Sequence, residues 1–97
     1  MPGITVYWAS VSSNLEAKKN QQRIKMVLES KNVPFEYLDI CTIETAKEAM
    51  RAICTENGVK SVAPQIVSDG MYCGDYNAFD AAVENDELDQ FLSPKPK

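Results

Sequence analysis

The alternation of apolar and polar positions divides the chain into seven main segments. Ile4-Thr5-Val6-Tyr7-Trp8-Ala9 is a β-rich run and predicts a first strand. Ser10 to Asn14 is small, polar and turn-like. From Leu15 to Lys31 the pattern becomes helical, with Ile24, Val27 and Leu28 at i, i+3 and i+4. Asn32-Val33-Pro34 stops that helix, because proline disfavours helical geometry in the residue before it. Phe35 to Ile40 predicts a second strand. Thr42 to Thr45 offers helix-start chemistry, and Ala46, Ala49, Met50 and Ile53 supply the next apolar stripe, which Thr55-Glu56-Asn57-Gly58 ends. Ala63-Pro64 leads into a third strand, Gln65 to Ser68. Asp69-Gly70 is a tight-turn dipeptide that favours a hairpin, so Met71-Tyr72-Cys73 reads as a short fourth strand closed by Gly74. Asp75 is placed to cap a helix carrying Phe79, Ala82 and Val83 on one face. Leu88, Phe91 and Leu92 extend the apolar pattern into a last helical turn.

The resulting order is β-α-β-α-β-β-α. A right-handed βαβ unit followed by a hairpin and a covering helix closes into a four-stranded mixed sheet with helices on both faces. This is an α/β fold of thioredoxin-like arrangement, expected as one domain over residues 1–92 with a short flexible tail at 93–97. A length of 97 residues suits one such domain and not two.

Charge and cysteine content narrow the chemistry. A net charge of −4 argues against a nucleic-acid surface, which needs clustered Lys and Arg. The densest basic cluster, Lys18-Lys19 with Arg23 and Lys25, falls on the first helix, where a solvated face is the plain reading. No apolar run approaches the roughly 20 residues that span a bilayer, and no signal-peptide pattern opens the chain, so a cytoplasmic location is expected. The absence of histidine excludes mixed Cys/His zinc sites and His-dependent nucleophile triads; no metal site is expected. Cys41, Cys54 and Cys73 are odd in number and form no CxxC.

In a sheet of this kind, ligands bind beyond the C-terminal ends of the first strands, near helix N-termini. Here that region comprises the Ser10–Asn14 loop, the Ala63-Pro64 bend and the Cys73-Gly74-Asp75 turn. A redox enzyme would place a low-pKa thiol in the first loop. This chain has Ser12 and Ser13 there, and Ser12 reads as a helix N-cap. Pro64 has two readings, a strand start or a cis-proline that turns the Ala63 backbone toward the cleft. Cys41 and Cys54 read as small core-like residues. Cys73 is the thiol expected nearest the cleft, with a structural or merely modifiable role favoured over a catalytic one. Trp8, Tyr7 and Phe79 read as core or core-edge aromatics, and Tyr72 and Tyr76, flanking Gly74, form a candidate contact surface.

The run Ala63-Pro64-Gln65-Ile66-Val67, then Gly70, then Tyr72-Cys73-Gly74-Asp75-Tyr76 and Phe79 resembles the second half of a glutaredoxin. More closely, it is similar to the SH3 domain-binding glutamic acid-rich-like proteins, glutaredoxin relatives without an active-site CxxC. Val6-Tyr7 before a Ser-rich loop, Lys18-Lys19 with Gln21-Gln22, the run Phe35-Glu36-Tyr37-Leu38-Asp39-Ile40, and Met50-Arg51 agree with it. The likeness covers roughly residues 4 to 92.

The resemblance implies a thioredoxin-like fold, a cis Pro64, a cytoplasmic or nuclear location, no oxidoreductase turnover, and a small regulatory or adaptor protein that binds an unidentified protein partner. It places Ser12 where a glutaredoxin has its first cysteine. A glutathione site would use the Ala63 backbone and the turn Cys73-Gly74-Asp75-Tyr76, in which Cys73 replaces a glycine and its side chain intrudes on the site. SH3 binding through a PxxP segment is not expected: Pro64 stands alone, and Pro94-Lys95-Pro96 has the wrong spacing. Two alternatives stand beside this reading, a single-thiol redox activity through Cys73 and a glutathione-binding module without turnover.

Overall fold

The structure, a computed structural model, describes residues 3–11 and 15–92. Strand β1 (Ile4–Trp8) is followed by α1 (Leu15–Ser30), β2 (Phe35–Asp39), α2 (Glu44–Glu56), β3 (Gln65–Ser68), β4 (Met71–Asp75), α3 (Tyr76–Glu84) and a short α4 (Leu88–Phe91). The sheet order is β2-β1-β3-β4. β1 pairs in parallel with β2, from Ile4 opposite Phe35 to Trp8 opposite Asp39. It pairs antiparallel with β3, from Ile4 opposite Ser68 to Tyr7 opposite Gln65. The central strand therefore joins a βαβ unit to a hairpin, as the element order requires.

Strand periodicity sends alternate residues to opposite faces, and each face has its own core. On one side Ile4, Val6 and Ile66 pack with Ile24 and Leu28 of α1, Phe79 of α3, and Leu88 and Leu92. On the other, Tyr7 and Val67 pack with Ala46, Met50 and Cys54 of α2. Truncating a fully buried residue such as Leu28 or Phe79 to alanine would cost about 3 kcal/mol or more. No helix among the described residues is long and apolar enough to cross a membrane.

Several local expectations are met with differences. Asp69 and Gly70 have φ of 50° and 80°, the mirror-image turn that suits a two-residue hairpin, and Ser68 and Met71 pair across it. The Asp75 carboxylate caps α3 by accepting from the Ala78 N–H at 3.0 Å. In α2, by contrast, the capping position is Ile43 and has no side-chain cap; the Thr42 hydroxyl is turned away, donating to Asp39 at 3.2 Å. The buried stripe of α2 is Ala46, Met50 and Cys54, while Ala49 is exposed. Cys54, one position past Ile53, is the residue that reaches the centre of the core.

β4 also runs two residues past Cys73, to Asp75. Ile66 lies opposite Gly74 and Val67 opposite Tyr72, so Cys73 is the extra residue of a β-bulge. Just beyond it, Gly74 packs directly under α3 and α4. A Cβ there would lie 2.7 Å from Ala78 Cβ and 2.9 Å from Phe91 Cε1, at a φ of 156°.

Gly74→Ala is expected to lower the unfolding free energy by about 2 kcal/mol or more, because the first turn of α3 and the Phe91 ring must both shift. A urea midpoint equal to that of the parent protein would contradict the packing described for this turn.

Candidate functional site

Four strand ends, the loop after β1, the loop before β3 and the N-terminal turns of α1 and α3 meet at one end of the sheet. Backbone groups there leave their ladders and need other partners. Three polar side chains supply them. Gln21, 3% exposed in the apolar stripe of α1, accepts from the Ala9 N–H at 2.9 Å and donates to the Ala9 carbonyl at 3.1 Å. Its amide thus continues the edge of β1. Gln65, also 3% exposed, donates to the carbonyls of Val62 at 2.7 Å and Lys60 at 3.4 Å, and accepts from the Tyr72 hydroxyl at 2.9 Å. Asp39, at the end of β2, accepts from the backbone N–H groups of Ser10 at 3.1 Å and Cys41 at 3.0 Å, besides Thr42. Burial pushes its carboxyl up, but hydrogen bonds from Ser10, Cys41 and Thr42 outweigh this and hold it below the ordinary aspartate value.

Of these three, Gln65 lines an open groove of about 580 Å³ between the first turns of α1 and α3. The Ala63-Pro64 bend, whose peptide bond is cis, forms its floor with Gln65; Asp75 and Tyr76 form one wall, and Val59 and Val62 its rim. Val62 is 60% exposed. Tyr76 is steadied by Arg23, whose guanidinium donates to the phenol oxygen at 3.3 Å and pairs with Asp80 at 2.8 Å.

The groove thus unites Ala63, Pro64, Asp75 and Tyr76. Ser12 lies outside the described residues. Gly74 is buried under Phe91 and is not part of the lining. Tyr72 and Tyr76 do not share a surface. Val67 and its partner Tyr72 face α2, whereas Tyr76 packs on the α1/α3 core, because the chain passes from strand to helix between the two tyrosines. Gln21, Gln65 and Asp39 were missed as site residues: a polar side chain in an apolar stripe or at a strand end carries no mark in one sequence of the backbone it will serve.

Two of the three cysteines, Cys73 and Cys41, depart furthest from expectation, while Cys54 is core-like. Cys73 does not line the groove or intrude on it. The bulge turns its side chain onto the α1/α3 core, and its thiol donates to the Met71 carbonyl at 3.8 Å. Burial pushes that thiol up to about 11. Cys54 is fully buried against α2's side of the sheet, where burial raises its pKa more than a hydrogen bond with Ser61 lowers it. Cys41 is exposed, not core-like, and its thiol donates to the Val11 carbonyl at 3.8 Å. All three are free. Nor do the described residues bring together three potential metal ligands.

A family model described as SH3-binding, glutamic acid-rich protein matches residues 2–95. The SH3 domain-binding glutamic acid-rich protein homolog of Drosophila melanogaster is 41% identical over 103 residues, covering 96% of this chain; the chain spans 65% of that relative's length. Among solved structures, the C. albicans actin interacting protein Aip5 aligns with a TM-score of 0.73 at 21% identity, over 94% of this chain and 88% of that one. The holo form of glutaredoxin C1 from Populus tremula x tremuloides aligns with a TM-score of 0.69 at 13% identity, over 93% and 82%. At such identities these two likenesses carry the fold, which is thioredoxin-like.

Two measurements follow from this geometry. Since folding depresses the Asp39 pKa, its contribution to stability is complete above the ordinary aspartate value and is lost as pH falls through the lower, folded-state value. Asp39→Asn should therefore lower stability at neutral pH and flatten its acid dependence, read from urea midpoints between roughly pH 2 and 6; parallel curves for the two proteins would contradict this. In the native protein at neutral pH, iodoacetamide should alkylate Cys41 first. Cys73 carries roughly a hundredfold less thiolate than an unperturbed cysteine, and Cys54 should react only on unfolding, as followed by peptide mass mapping.

Proposed function

The chain belongs to the SH3-binding, glutamic acid-rich protein family, and we propose that it acts as a non-catalytic, glutaredoxin-like adaptor that holds a protein partner in the groove beside Ala63 and Pro64. The observation that carries this reading is where sulfur is and is not. Cysteine occurs only at 41, 54 and 73, so the first loop holds no thiol. None of the three cysteines lines the groove. Thiol–disulfide exchange requires a thiolate within reach of the bound disulfide. Cys73 is turned into the core and is overwhelmingly protonated near neutral pH.

The groove's own composition favours docking over turnover. Its rim carries the apolar side chains of Val59 and Val62, and its floor is set by backbone whose neighbours are pinned by Gln65. Exposed apolar groups beside fixed backbone suit a peptide segment, which offers both apolar side chains and hydrogen bonds. An anion position on the groove, the N-terminus of α3, is filled by the protein's own Asp75 carboxylate. A glutathione carboxylate would have to displace it, so in this reading glutathione is not the ligand. Pro64 is buried and is not available as a polyproline ligand, which argues against SH3 binding by that route.

The test is a paired measurement. Glutathione-dependent reduction of a mixed disulfide should run at the uncatalysed rate with the protein and with Cys73→Ser alike; turnover that Cys73→Ser abolishes would overturn the proposal. In affinity capture from cytosol, partners retained by the parent protein should be lost with Val62→Glu. A partner set unaltered by that change would move the docking surface elsewhere.

A further inference from the structure

The two flanks of α1 are used differently. Helical periodicity puts Glu16, Asn20 and Arg23 on one flank and Lys18, Gln22 and Lys25 on the other, with Gln21, Ile24 and Leu28 facing the core between them. On the first flank the charge of Arg23 is matched within the chain by Asp80. On the second, neither Lys18 nor Lys25 has a carboxylate partner among the described residues. α1 carries four bases against two acids in a chain whose net charge is −4, so this flank is a local reversal of the protein's overall sign.

Beside it the sheet contributes a flat aromatic shelf. Trp8 and Tyr37, on neighbouring strands, stack with centroids 4.6 Å apart and planes 13° from parallel. The Lys25 ammonium stands 5.5 Å from the centre of the Tyr37 ring, a cation–π placement that orients the charge over the shelf. Among the described residues the buried Trp8 indole N–H finds no hydrogen-bond acceptor. Trp8, Ser10, Lys18, Gln22, Lys25 and Tyr37 together line one shallow recess, and among the described residues its lining includes no acid.

We infer that this recess is a docking surface for an acidic peptide segment of a partner protein, laid in extended form along α1 and over the Trp8–Tyr37 shelf. Lys18 and Lys25 leave the helix two turns apart, about 10 Å, more than a single carboxylate or phosphate bridges. An extended peptide repeats a side chain on one face about every 7 Å, so two of its carboxylates meet the two ammonium groups. Gln22 offers a donor and an acceptor for its backbone, and the stacked rings cover its aliphatic stems. Two lysines on an acidic protein are too few for a nucleic-acid backbone, whose affinity comes from many neutralised phosphates. The inference extends the adaptor reading by giving a partner's chemistry, at a surface separated from the Ala63–Pro64 groove by the body of α1.

Trp8 is the only tryptophan in the chain, so its emission reports the recess directly. Titrating the full chain with a hexaglutamate peptide in low salt should give a saturable change in Trp8 fluorescence. Binding should weaken severalfold when salt is raised to roughly 0.3 M. Lys18→Glu with Lys25→Glu should weaken it by roughly tenfold or more. Lys47→Glu with Arg51→Glu makes the same change in net charge on α2 and should leave binding within about twofold. Val62→Glu, which tests the groove, should also leave it unchanged, so failure of the adaptor reading and failure of this one are told apart. All these positions but Trp8 are exposed, and far-ultraviolet circular dichroism of each variant checks that it is folded. No saturable signal at millimolar peptide, equal losses with the α1 and α2 pairs, or tighter binding of a six-nucleotide single strand would each overturn the inference.

Discussion

Backbone polar groups cannot be left bare where four strands end together beneath packed helices, and the architecture of this end of the molecule follows from how they are satisfied. Gln21 completes the edge of β1 by binding both the N–H and the carbonyl of Ala9. Gln65 ties down the loop that enters β3, Asp39 gathers the segments after β1 and β2, and Asp75 closes the first turn of α3. A buried donor or acceptor without a partner costs about 1–3 kcal/mol, a large part of the stability of a domain this size. These polar residues are therefore structural necessities first. Gln65 and Asp75 also line the groove, so the loop before β3 and the start of α3 that shape it have little freedom left.

The chain shares its backbone arrangement with glutaredoxin C1, yet fold and function divide readily, and in the adaptor reading proposed above they divide at sulfur. Each thiol is held by a local structural reason: Cys54 fills the centre of the α2 face, Cys73 is the extra residue of a bulge, and Cys41 sits at the turn that Asp39 organises. The bulge is the most telling of these. It lets β4 place Gly74 under Phe91 while sending the preceding side chain inward, so one irregularity both permits the tight turn at α3 and withdraws the nearest thiol from the groove.

The elements were legible in sequence because they follow from period and punctuation. Asp69-Gly70, Pro34 and the stripe of Ile24 and Leu28 each act over a few residues, and each marks an observed boundary or face. The cis Ala63-Pro64 bond was legible only through family resemblance, as composition alone left two readings. The site was legible where it is made of backbone turns and not where it depends on side-chain direction. Ala63, Pro64 and Asp75 came together at one groove. Cys73 and Tyr72 did not, because a bulge breaks the period of two and a strand-to-helix junction puts residues four apart on different faces of the sheet. Gln21 and Gln65 were hidden for a different reason. Gln21 serves the backbone of Ala9, twelve positions away, and Gln65 the carbonyls of Val62 and Lys60 in the loop just before it; in one sequence neither backbone group is marked as needing a partner.

The same dependence on distant neighbours explains why a basic run can read as plain solvation and acquire another meaning in three dimensions. Lys18, Lys19, Arg23 and Lys25 form one cluster along the chain, but the helix distributes them. Arg23 turns toward α3, where Asp80 and Tyr76 take up its charge and hydrogen bonds. Lys25 turns toward the sheet, where two aromatic rings from parallel strands lie beneath its flank. Stacked rings at the edge of a sheet offer a carboxylate nothing on their own, and lysines on a solvated helix carry little specificity. Together they define a direction and a sign, which is what recognition of an extended charged segment requires. The two flanks of α1 are thus held by the same core stripe yet face different chemistry: one is closed by an internal ion pair beside an apolar-rimmed groove, and the other keeps its positive charge open to solvent.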